Sequence, residues 1–326
     1  MKMHTGLKPV TDNIANNHRD VLRINKNILA ALAYFDMFDY PLTYGEIFMF
    51  LGERHCKSEF TEALNYLVAG KMVYHFDKFY SLKNDYLIVI RRNRGNQKAA
   101  EMITKARQVG SFLIQFPYVR GIGISGSLSK NFADDKSDID LFIITAKNRL
   151  WVARTLMHCF KKFTFLVNKQ HNYCMNYYVD EQQLQIAEKN IYTAIETDTL
   201  IPLEGDLTFE RFYTANTWTR NLLPNKTLRL ASAKPLKKYF LKTLIETLLN
   251  NRMGELLDNF FLRITSSRWA EKTKQKKLNL RGLVMGMSAG KHFAKPDPVN
   301  FQNRLMERYK NKLNYVLQLT EERVAQ

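Results

Sequence analysis

The stretch from Val119 to Thr145 reads VRGIGISGSLSKNFADDKSDIDLFIIT and decides how the chain is interpreted. Its first part, VRGIGIS, has the character of a β-strand and runs directly into Gly126-Ser127 and the short helical piece LSKNF. A strand that enters a helix through Gly-Ser favours an anion site, because glycine lets a phosphate approach the backbone and the amides at the helix start are unpaired. The serine hydroxyl adds a donor. Gly-Ser alone is no more specific than any tight turn.

Two acidic residues open the next apolar run. Asp138 and Asp140 alternate in SDIDLFII, so we expect their side chains on one face of a strand while Ile139 and Leu141 point into the core. Neighbouring carboxylates repel each other unless a cation lies between them, and hard oxygen ligands suit Mg²⁺ or Mn²⁺. An isolated Asp-x-Asp motif more often marks the start of a strand with two solvated acids. The motif is therefore informative only together with the residues around it.

Taken together, the elements in GSLSKNFADDKSDIDLFII resemble the signature of the DNA polymerase β-type nucleotidyltransferase superfamily. The resemblance implies that Gly126 and Ser127 bind a nucleoside triphosphate and that Asp138 and Asp140 bind the catalytic Mg²⁺ or Mn²⁺. It further implies in-line attack of an acceptor hydroxyl on the α-phosphorus, with pyrophosphate leaving. Lys130 is a candidate phosphate contact, and a solvated lysine on a short helix is the alternative interpretation.

The layout as a whole more loosely resembles uncharacterised bacterial nucleotidyltransferase-domain proteins in which Leu150-Trp151 opens a helix after the second strand. The segments that carry this likeness are DLFIITAKNRLW, CMNYYVD and FYTANTWTRNLLPN. It implies a family without supplying a substrate.

The sequence departs from the superfamily at the third acid, which usually lies on a later strand and helps to activate the attacking hydroxyl. The expected counterpart, YCMNYYV from Tyr173 to Val179, has no acid, and Asn176 lies at its middle with Cys174 and Tyr178 expected on the same side. An amide cannot accept a proton at neutral pH. Four acids could replace the missing one or could be solvated surface groups: Asp180 and Glu181 just after the strand, and Glu196 and Asp198 on a later predicted helix.

Two functions of different classes follow. The first is an enzyme that uses a divalent metal to move a nucleoside monophosphate from a nucleoside triphosphate to a hydroxyl of a protein, an RNA or a small molecule. The second is a regulator that senses nucleotide without chemistry and reports it to DNA or a partner protein. The Asp138 and Asp140 pair favours the enzyme, whereas the acid-free strand around Asn176 favours the sensor.

The pattern before residue 85 predicts three helices. Ile28, Leu32 and Phe35 lie at helical spacing in a segment that ends before Pro41, and a Thr43-x-x-Glu46 capping box opens a second, short helix. A third helix is expected from Ser58 to Ala69, with Gly70 as a left-handed terminator.

A hairpin follows these helices, with strands at 72–76 and 79–82 joined at Asp77-Lys78. Three short helices and a hairpin predict a winged helix, which can place its third helix in a DNA major groove. The residues expected near a nucleic-acid backbone are Lys57, Asn65, Lys71 and, on the wing, Lys78 or Lys83. Domain packing or protein contact is the alternative role, because Glu59 and Glu62 lie on the same helix.

The predicted fold class is α+β, with three domains. Residues 1–84 form the winged-helix-like unit, residues 85–205 form a mixed-sheet nucleotidyltransferase core with a basic helical connector, and residues 206–326 form a helical C-terminal domain. Leu236 to Thr265 repeats apolar residues at helical spacing, and we expect such amphipathic helices to face the core rather than a membrane surface.

The 49 Lys and Arg against 31 Asp and Glu give a formal charge of +18, which favours nucleotides or nucleic acid as partners. There is no long apolar run and no signal-peptide pattern, so the sequence predicts a cytoplasmic protein without a membrane partner. The three cysteines do not form a disulfide framework. His158, Cys159, His171 and Cys174 could form a tetrahedral zinc set, although a helix pair and a strand pair without that role is the simpler interpretation.

Overall fold

The computed structural model describes residues 10–166, 173–226, 233–276, 278, 284–298 and 301–324. These residues form eleven α-helices and two separate β-sheets, an arrangement compatible with the expected α+β class. The chain divides into two compact units. The smaller unit comprises residues 1–92, 220–227 and 306–326, and the larger comprises residues 93–219 and 228–305.

The smaller unit begins with three helices and a three-stranded sheet. In chain order these are α1 (Val10–Asp36), β1 (Leu42–Thr43), α2 (Tyr44–Met49), α3 (Lys57–Ala69), β2 (Tyr74–Phe76) and β3 (Phe79–Ser81). The sheet is antiparallel with the order β1-β3-β2. The predicted apolar stripe of the first helix is buried, with Ile28, Leu32 and Phe35 no more than 3% exposed.

Local chemistry sets the helix ends of this unit. The predicted capping box is confirmed: the Glu46 amide donates to Thr43 Oγ1 at 3.3 Å, and the Thr43 amide donates to the Glu46 carboxylate at 2.8 Å. The predicted left-handed terminator of α3 is wrong by one residue, because Gly70 has φ −76° and Lys71 has φ 55°. Gly70 instead provides space, since a Cβ there would lie 2.7 Å from the Met72 side chain.

The larger unit is built on a mixed six-stranded sheet with the order β7-β4-β5-β6-β9-β8. Its strands are β4 (Val119–Ile124), β5 (Ile139–Thr145), β6 (Tyr173–Asp180), β7 (Ile201–Glu204), β8 (Met285–Ala289) and β9 (Phe293–Pro298). The β5 and β6 pair is parallel and the other pairs are antiparallel. The predicted strands on both sides of Gly126-Ser127 are therefore present as β4 and β5.

Helices accompany this sheet. They are α4 (Leu87–Leu113), which starts in the smaller unit, α5 (Gly126–Ser129), α6 (Leu150–Leu166), α7 (Ile191–Thr199), α8 (Asp206–Ala215), α9 (Phe240–Leu249), α10 (Arg252–Lys274) and α11 (Phe301–Val324), which ends in the smaller unit.

Apolar side chains cover both faces of the central strand β5. Leu141 and Ile143 belong to a core that includes Trp151 of α6 and Trp269 of α10. Phe142 and Ile144 belong to a second core with Phe209 and Phe212 of α8. Because successive side chains of a strand alternate between faces, β5 is buried between two helical layers. Its polar beginning, at Asp138 and Asp140, is the part that remains accessible.

The expectation of a wholly helical region after residue 205 is wrong, because β8 and β9 extend the central sheet next to β6. The apolar run from Leu236 to Thr265 is largely helical, in α9 and α10, whereas β8 and β9 lie further along the chain. Short strands of this kind are hard to recognise from periodicity. Among the residues described, no helix has the length and apolar character needed to cross a bilayer.

Gly205, between β7 and α8, provides a test of how tightly the sheet edge is built. It has φ +87°, and a Cβ there would lie 2.1 Å from the Arg120 carbonyl oxygen. We expect Gly205→Ala to lower the free energy of unfolding by roughly 2–4 kcal/mol, since both the backbone conformation and the space exclude a side chain. Chemical denaturation with far-UV circular dichroism measures this change.

Gly45 in α2 is the matched control, because nothing lies within 4 Å of its added Cβ. Gly45→Ala should be neutral or stabilise the protein by up to about 1 kcal/mol. Equal stability of the two variants would contradict the geometry at Gly205.

Candidate functional site

The turn after β4 holds Gly126 directly against the carboxylate of Asp140. The Ser125 amide donates to the Asp140 carbonyl at 2.9 Å, which fixes the two segments side by side. Gly126 has φ +68°, and a Cβ on it would lie 2.6 Å from Asp140 Oδ2. Glycine is therefore required here both for its conformation and for the close approach. The predicted phosphate-binding turn and a predicted metal ligand are in contact.

The two aspartates lie at the start of β5. Asp140 is half-buried, whereas Asp138 is exposed and lies one residue before the strand begins. Ile139 and Leu141 are buried at 5% and 0% exposure, as the alternation predicts. Asp138 therefore offers its carboxylate to solvent beside a turn whose glycine touches Asp140.

Asn176 occupies the position expected for a third acid. Its side-chain Nδ2 donates a hydrogen bond to Asp140 Oδ1. Leu141 pairs with Met175 and Phe142 pairs with Tyr177, so Asn176 is the extra residue of a β-bulge in β6. A bulge redirects a side chain without ending the strand, and here it directs the amide towards Asp140.

The bulge corrects one detail of the sequence-based expectation. Asn176 and Tyr178 were expected on the same side of the strand, but Tyr178 is fully buried and its hydroxyl contacts Met175 Sδ at 3.1 Å. Met175 and Tyr178 share one core although they are three residues apart, because the extra residue changes the alternation. Burial raises the pKa of the Tyr178 hydroxyl far above its ordinary value, so this group stays neutral.

Lys130 lies at the turn but is held by an ion pair. Its Nζ contacts Glu196 Oε1 at 2.7 Å and the Gly126 carbonyl oxygen at 3.1 Å. Glu196 comes from α7, a predicted helix, and is one of the four acids proposed as replacements. A lysine that bonds to the carbonyl of the predicted phosphate-binding glycine is close enough to the turn to exchange that contact for a phosphate oxygen.

A hydroxyl pair joins the same two helices. Ser129 Oγ donates to the Gly126 carbonyl at 2.8 Å and to Thr199 Oγ1 at 3.3 Å. The sequence analysis missed Ser129 and Thr199, because 70 positions separate them and no local pattern indicates that α5 and α7 meet. Together with Lys130 and Glu196 they connect α7 to the turn.

Asp180 is not the replacement acid. It pairs with Thr145 at the opposite end of β5, five positions from Asp140, a distance of about 16 Å along a strand. It is 0% exposed and accepts hydrogen bonds from the Asn148 amide at 2.9 Å and from His292 Nδ1 at 2.9 Å. Its carboxylate therefore organises the loop at that end of the sheet.

Two further acids are placed by the structure. Glu181 follows Asp180 at the same distant end and forms an ion pair with Arg211. Asp198 lies two residues after Glu196 on α7, so it points to a different side of the helix from the carboxylate that contacts Lys130. Glu196 is thus the replacement candidate that the geometry keeps at the turn.

The alternative zinc set gains no support. Burial, reinforced by the Arg154 charge, lowers the pKa of His158 to about 3, while the adjacent Cys159 is exposed. His171 lies outside the described residues. Within the described part of the chain, no group of three or more His, Cys, Asp or Glu side chains is arranged to hold a metal ion.

Comparisons of this chain with protein-family models, with curated proteins and with solved structures find no match. Any function for the site therefore has to be argued from its residues and their geometry.

Asn176→Asp tests whether residue 176 and Asp140 share one site. A second carboxylate next to Asp140 should destabilise the protein by about 1–2 kcal/mol at pH 7 without divalent ions, because like charges repel. The two carboxylates bind a shared proton more readily than an isolated carboxylate does, so the pKa of the pair is raised in the folded protein. The loss of stability should therefore vanish as the pH falls towards about 4 and grow as the pH rises. Thermal unfolding across pH, with and without Mg²⁺, measures the effect.

Asn176→Ser is the matched control, since it removes the amide without adding charge. The unfolding temperature of Asn176→Ser should change with Mg²⁺ and with pH no more than that of the original protein does. Of the two variants, only Asn176→Asp should regain stability when Mg²⁺ is added. If its stability responds neither to pH nor to Mg²⁺, the side chains at residues 176 and 140 do not interact.

Proposed function

We propose that the larger unit is a nucleotidyltransferase core of the DNA polymerase β type. In this proposal the protein moves a nucleoside monophosphate from a nucleoside triphosphate to a hydroxyl of a protein, an RNA or a small molecule. The observation that carries the proposal is the contact between the Gly126 backbone and the Asp140 carboxylate. A phosphate that approaches this glycine lies beside a metal-binding carboxylate, which is the juxtaposition that phosphoryl chemistry requires.

The turn supplies groups for the triphosphate. Gly126 presents backbone without a side chain, and the Ser127 side chain is exposed. Lys130 adds a cation that already bonds to the Gly126 carbonyl. Backbone, hydroxyl and ammonium are the donors that bind phosphate oxygens in proteins.

The residues also fit Mg²⁺ or Mn²⁺. Mg²⁺ keeps several waters and is commonly held by one or two carboxylates together with substrate phosphates. Asp138 and Asp140 provide two such carboxylates, one exposed and one half-buried. Asn176 donates to Asp140 Oδ1, and Oδ2 faces Gly126, so the amide fixes the orientation of the carboxylate that faces the phosphate-binding turn.

The proposed reaction is an in-line displacement at the α-phosphorus. The acceptor oxygen forms the new bond to phosphorus, the bond to the bridging oxygen of the β-phosphate breaks, and pyrophosphate leaves. Asp138 and Asp140 would hold a divalent cation, which would supply neutralisation of the developing negative charge. Gly126 and Ser127 keep the triphosphate aligned while Asp138 and Asp140 keep the metal site in place.

The acceptor proton needs a base, and Asn176 cannot serve because an amide does not accept a proton at neutral pH. Glu196 is the carboxylate that the structure places next to Lys130 at the turn. In the proposed complex, Lys130 turns from Glu196 to the triphosphate, and Glu196 becomes available to accept the proton directly or through a water molecule.

We further propose that the first three helices and the hairpin of the smaller unit act as a winged helix. Lys57, Lys71 and Lys78 are exposed and are free to contact a phosphate backbone. Asn65 on α3 is exposed as well. Lys83 is less suited, because it forms ion pairs with Asp36 and Asp39.

The second candidate function is a nucleotide-sensing, DNA-binding regulator without catalysis. The observation that favours it is the amide of Asn176 at Asp140, where a catalytic carboxylate was expected. A sensor needs nucleotide binding and a response in the smaller unit, but it does not need a base.

Labelling with nucleotide distinguishes the two. We expect purified protein with Mg²⁺ and α-phosphate-labelled nucleoside triphosphates to transfer label to itself or to an acceptor in cell extract. Asp138→Asn and Asp140→Asn should each reduce the rate by about 100-fold or more, because each removes a metal ligand. Glu196→Gln should reduce the rate by roughly 10-fold to 1,000-fold while nucleotide binding persists.

Asp135→Asn is the matched control, since the Asp135 side chain is 98% exposed and lies in the same polar loop. It should transfer label at the original rate. Nucleotide binding without label transfer to any acceptor would contradict the enzyme and favour the sensor.

The sensor predicts nucleotide-dependent DNA binding through Lys71 and Lys78. Changing both to alanine should reduce the slope of log K against log salt concentration by about 2, since each lysine neutralises about one phosphate. Fluorescence anisotropy with duplex DNA at several salt concentrations measures the slope, with Lys83→Ala as a control of similar charge. An unchanged slope would exclude these lysines as phosphate contacts.

A further inference from the structure

Helix α9 carries its charged residues on the side that faces the protein. Lys242 is 5% exposed, and its Nζ donates to the carbonyl oxygens of Ile114 at 2.8 Å and Val119 at 2.6 Å. Glu246 accepts from the Tyr118 amide at 2.6 Å and from both terminal nitrogens of Arg120 at 2.8 Å. These two residues are four apart and therefore share one helix face.

The opposite face of α9 is apolar and points to solvent. Phe240 is 81% exposed, Leu241 69%, Leu244 46% and Leu248 64%. Phe240, Leu244 and Leu248 repeat every four residues and form one stripe. The expectation that the apolar residues of this segment face the core is therefore wrong for α9, whose polarity is inverted relative to an ordinary surface helix.

Helix α10 also carries exposed apolar side chains. It packs against α9 after a turn at Asn250-Asn251, and Met253, Leu256 and Phe260 on it are 65%, 62% and 54% exposed. The exposed fractions of these seven side chains, four on α9 and three on α10, add up to more than four fully exposed residues. At about 150 Å² per residue, the exposed apolar area is roughly 600 Å² or more. An exposed apolar area of this order is comparable with the roughly 300–600 Å² of the largest patch on a typical monomer, which is often functional, and it favours a binding partner.

The segment that carries these apolar side chains also has an excess of exposed positive charge. From Lys234 to Lys276 nine Lys and Arg side chains are exposed, against two exposed acidic ones, Glu255 and Glu271. Lys237 and Lys238 shortly precede α9, while Arg252 and Arg263 are exposed on α10. Exposed leucine and phenylalanine with a surrounding excess of lysine and arginine is the composition of a helix that lies in the interface of an anionic membrane.

We propose that α9 and α10 dock on the surface of an anionic lipid bilayer. Phe240, Leu244 and Leu248, with Met253, Leu256 and Phe260, enter the boundary between headgroups and acyl chains, while the surrounding basic side chains contact lipid phosphates and carboxylates. The helices lie along the surface and do not span it. The inward contacts of Lys242 and Glu246 keep α9 folded against the protein when its apolar side is inserted.

Charge decides against the other occupants of this face. A second copy of the chain would bring two strongly basic helix pairs together, and each protein carries a formal charge of +18. Nucleic acid would satisfy the basic residues but would leave the leucines and phenylalanines in water. An anionic bilayer satisfies both the charge and the apolar surface.

Vesicle flotation with the full chain tests the proposal. We expect the protein to float with phosphatidylcholine vesicles in which about 30% of the lipid is phosphatidylglycerol, an anionic lipid. It should bind at least 10-fold more weakly to vesicles of pure phosphatidylcholine. Binding should weaken as salt rises, since the electrostatic part is screened. A Phe240→Trp variant should show a blue shift of its additional tryptophan emission when anionic vesicles are added.

Two substitutions separate the apolar and the basic contributions. Leu244→Ser with Leu248→Ser should reduce binding to anionic vesicles by at least 10-fold and change the thermal unfolding temperature little, because Leu244 is 46% and Leu248 64% exposed. Lys237→Glu with Lys238→Glu should reduce binding and remove much of its salt dependence. Leu207→Ser is the matched control, since Leu207 is 66% exposed on α8 and lies outside α9 and α10.

The outcomes are exclusive. Equal flotation of the original chain and the Leu244 and Leu248 variant, or no flotation with anionic vesicles, overturns the proposal. Analytical ultracentrifugation without lipid provides the other decisive result: an original chain that is a dimer, with a variant that is a monomer, assigns the face to self-association and overturns membrane docking. These results do not depend on nucleotidyl transfer, so they leave the proposed function to its own test.

Discussion

The close approach of the Gly126 backbone to the Asp140 carboxylate is the constraint on which the candidate site depends. The hydrogen bond from the Ser125 amide to the Asp140 carbonyl aligns the end of β4 with the start of β5. Any side chain at residue 126 would meet Asp140 Oδ2 at 2.6 Å and separate the two segments. Lys130 and Ser129 also support the turn, because both donate hydrogen bonds to the Gly126 carbonyl. A glycine, a strand end and a carboxylate thus meet at one point, which is where we propose an anion beside a metal ligand.

Residue identity and local geometry explain which parts of this arrangement the sequence could predict. The capping box at Thr43 and Glu46, the strands around Gly126-Ser127 and the burial of Ile139 and Leu141 depend on interactions between residues close in the chain. Such interactions leave a periodic or positional signal. The contact of Lys130 with Glu196 spans 66 positions and leaves none, so both residues were candidates from the sequence while their contact with each other was not predicted.

The errors have equally physical causes. Alternation along β6 was assumed to be strict, but the bulge at Asn176 places Met175 and Tyr178 in the same core. The amide reaches Asp140 only because the extra residue turns it in that direction. The apolar pattern of α9 was also detected correctly and assigned to the wrong side. Periodicity shows that a helix has two unlike faces, whereas the contacts of Lys242 and Glu246 decide which face is turned inward.

Those contacts also relate the exposed face of α9 to the candidate site. Lys242 and Glu246 bond to Ile114, Tyr118, Val119 and Arg120, which lead into and begin β4. The other end of β4 is followed by Gly126. A helix that turned its leucines inward would leave the Tyr118 amide and the Val119 carbonyl without these partners, at a cost of about 1–3 kcal/mol for each buried group left unpaired. The inverted orientation of α9 therefore follows from the hydrogen bonds that its charged side chains make at the start of β4, the strand that also positions the turn. Because the charged side chains face β4, the apolar side chains of α9 face the surface.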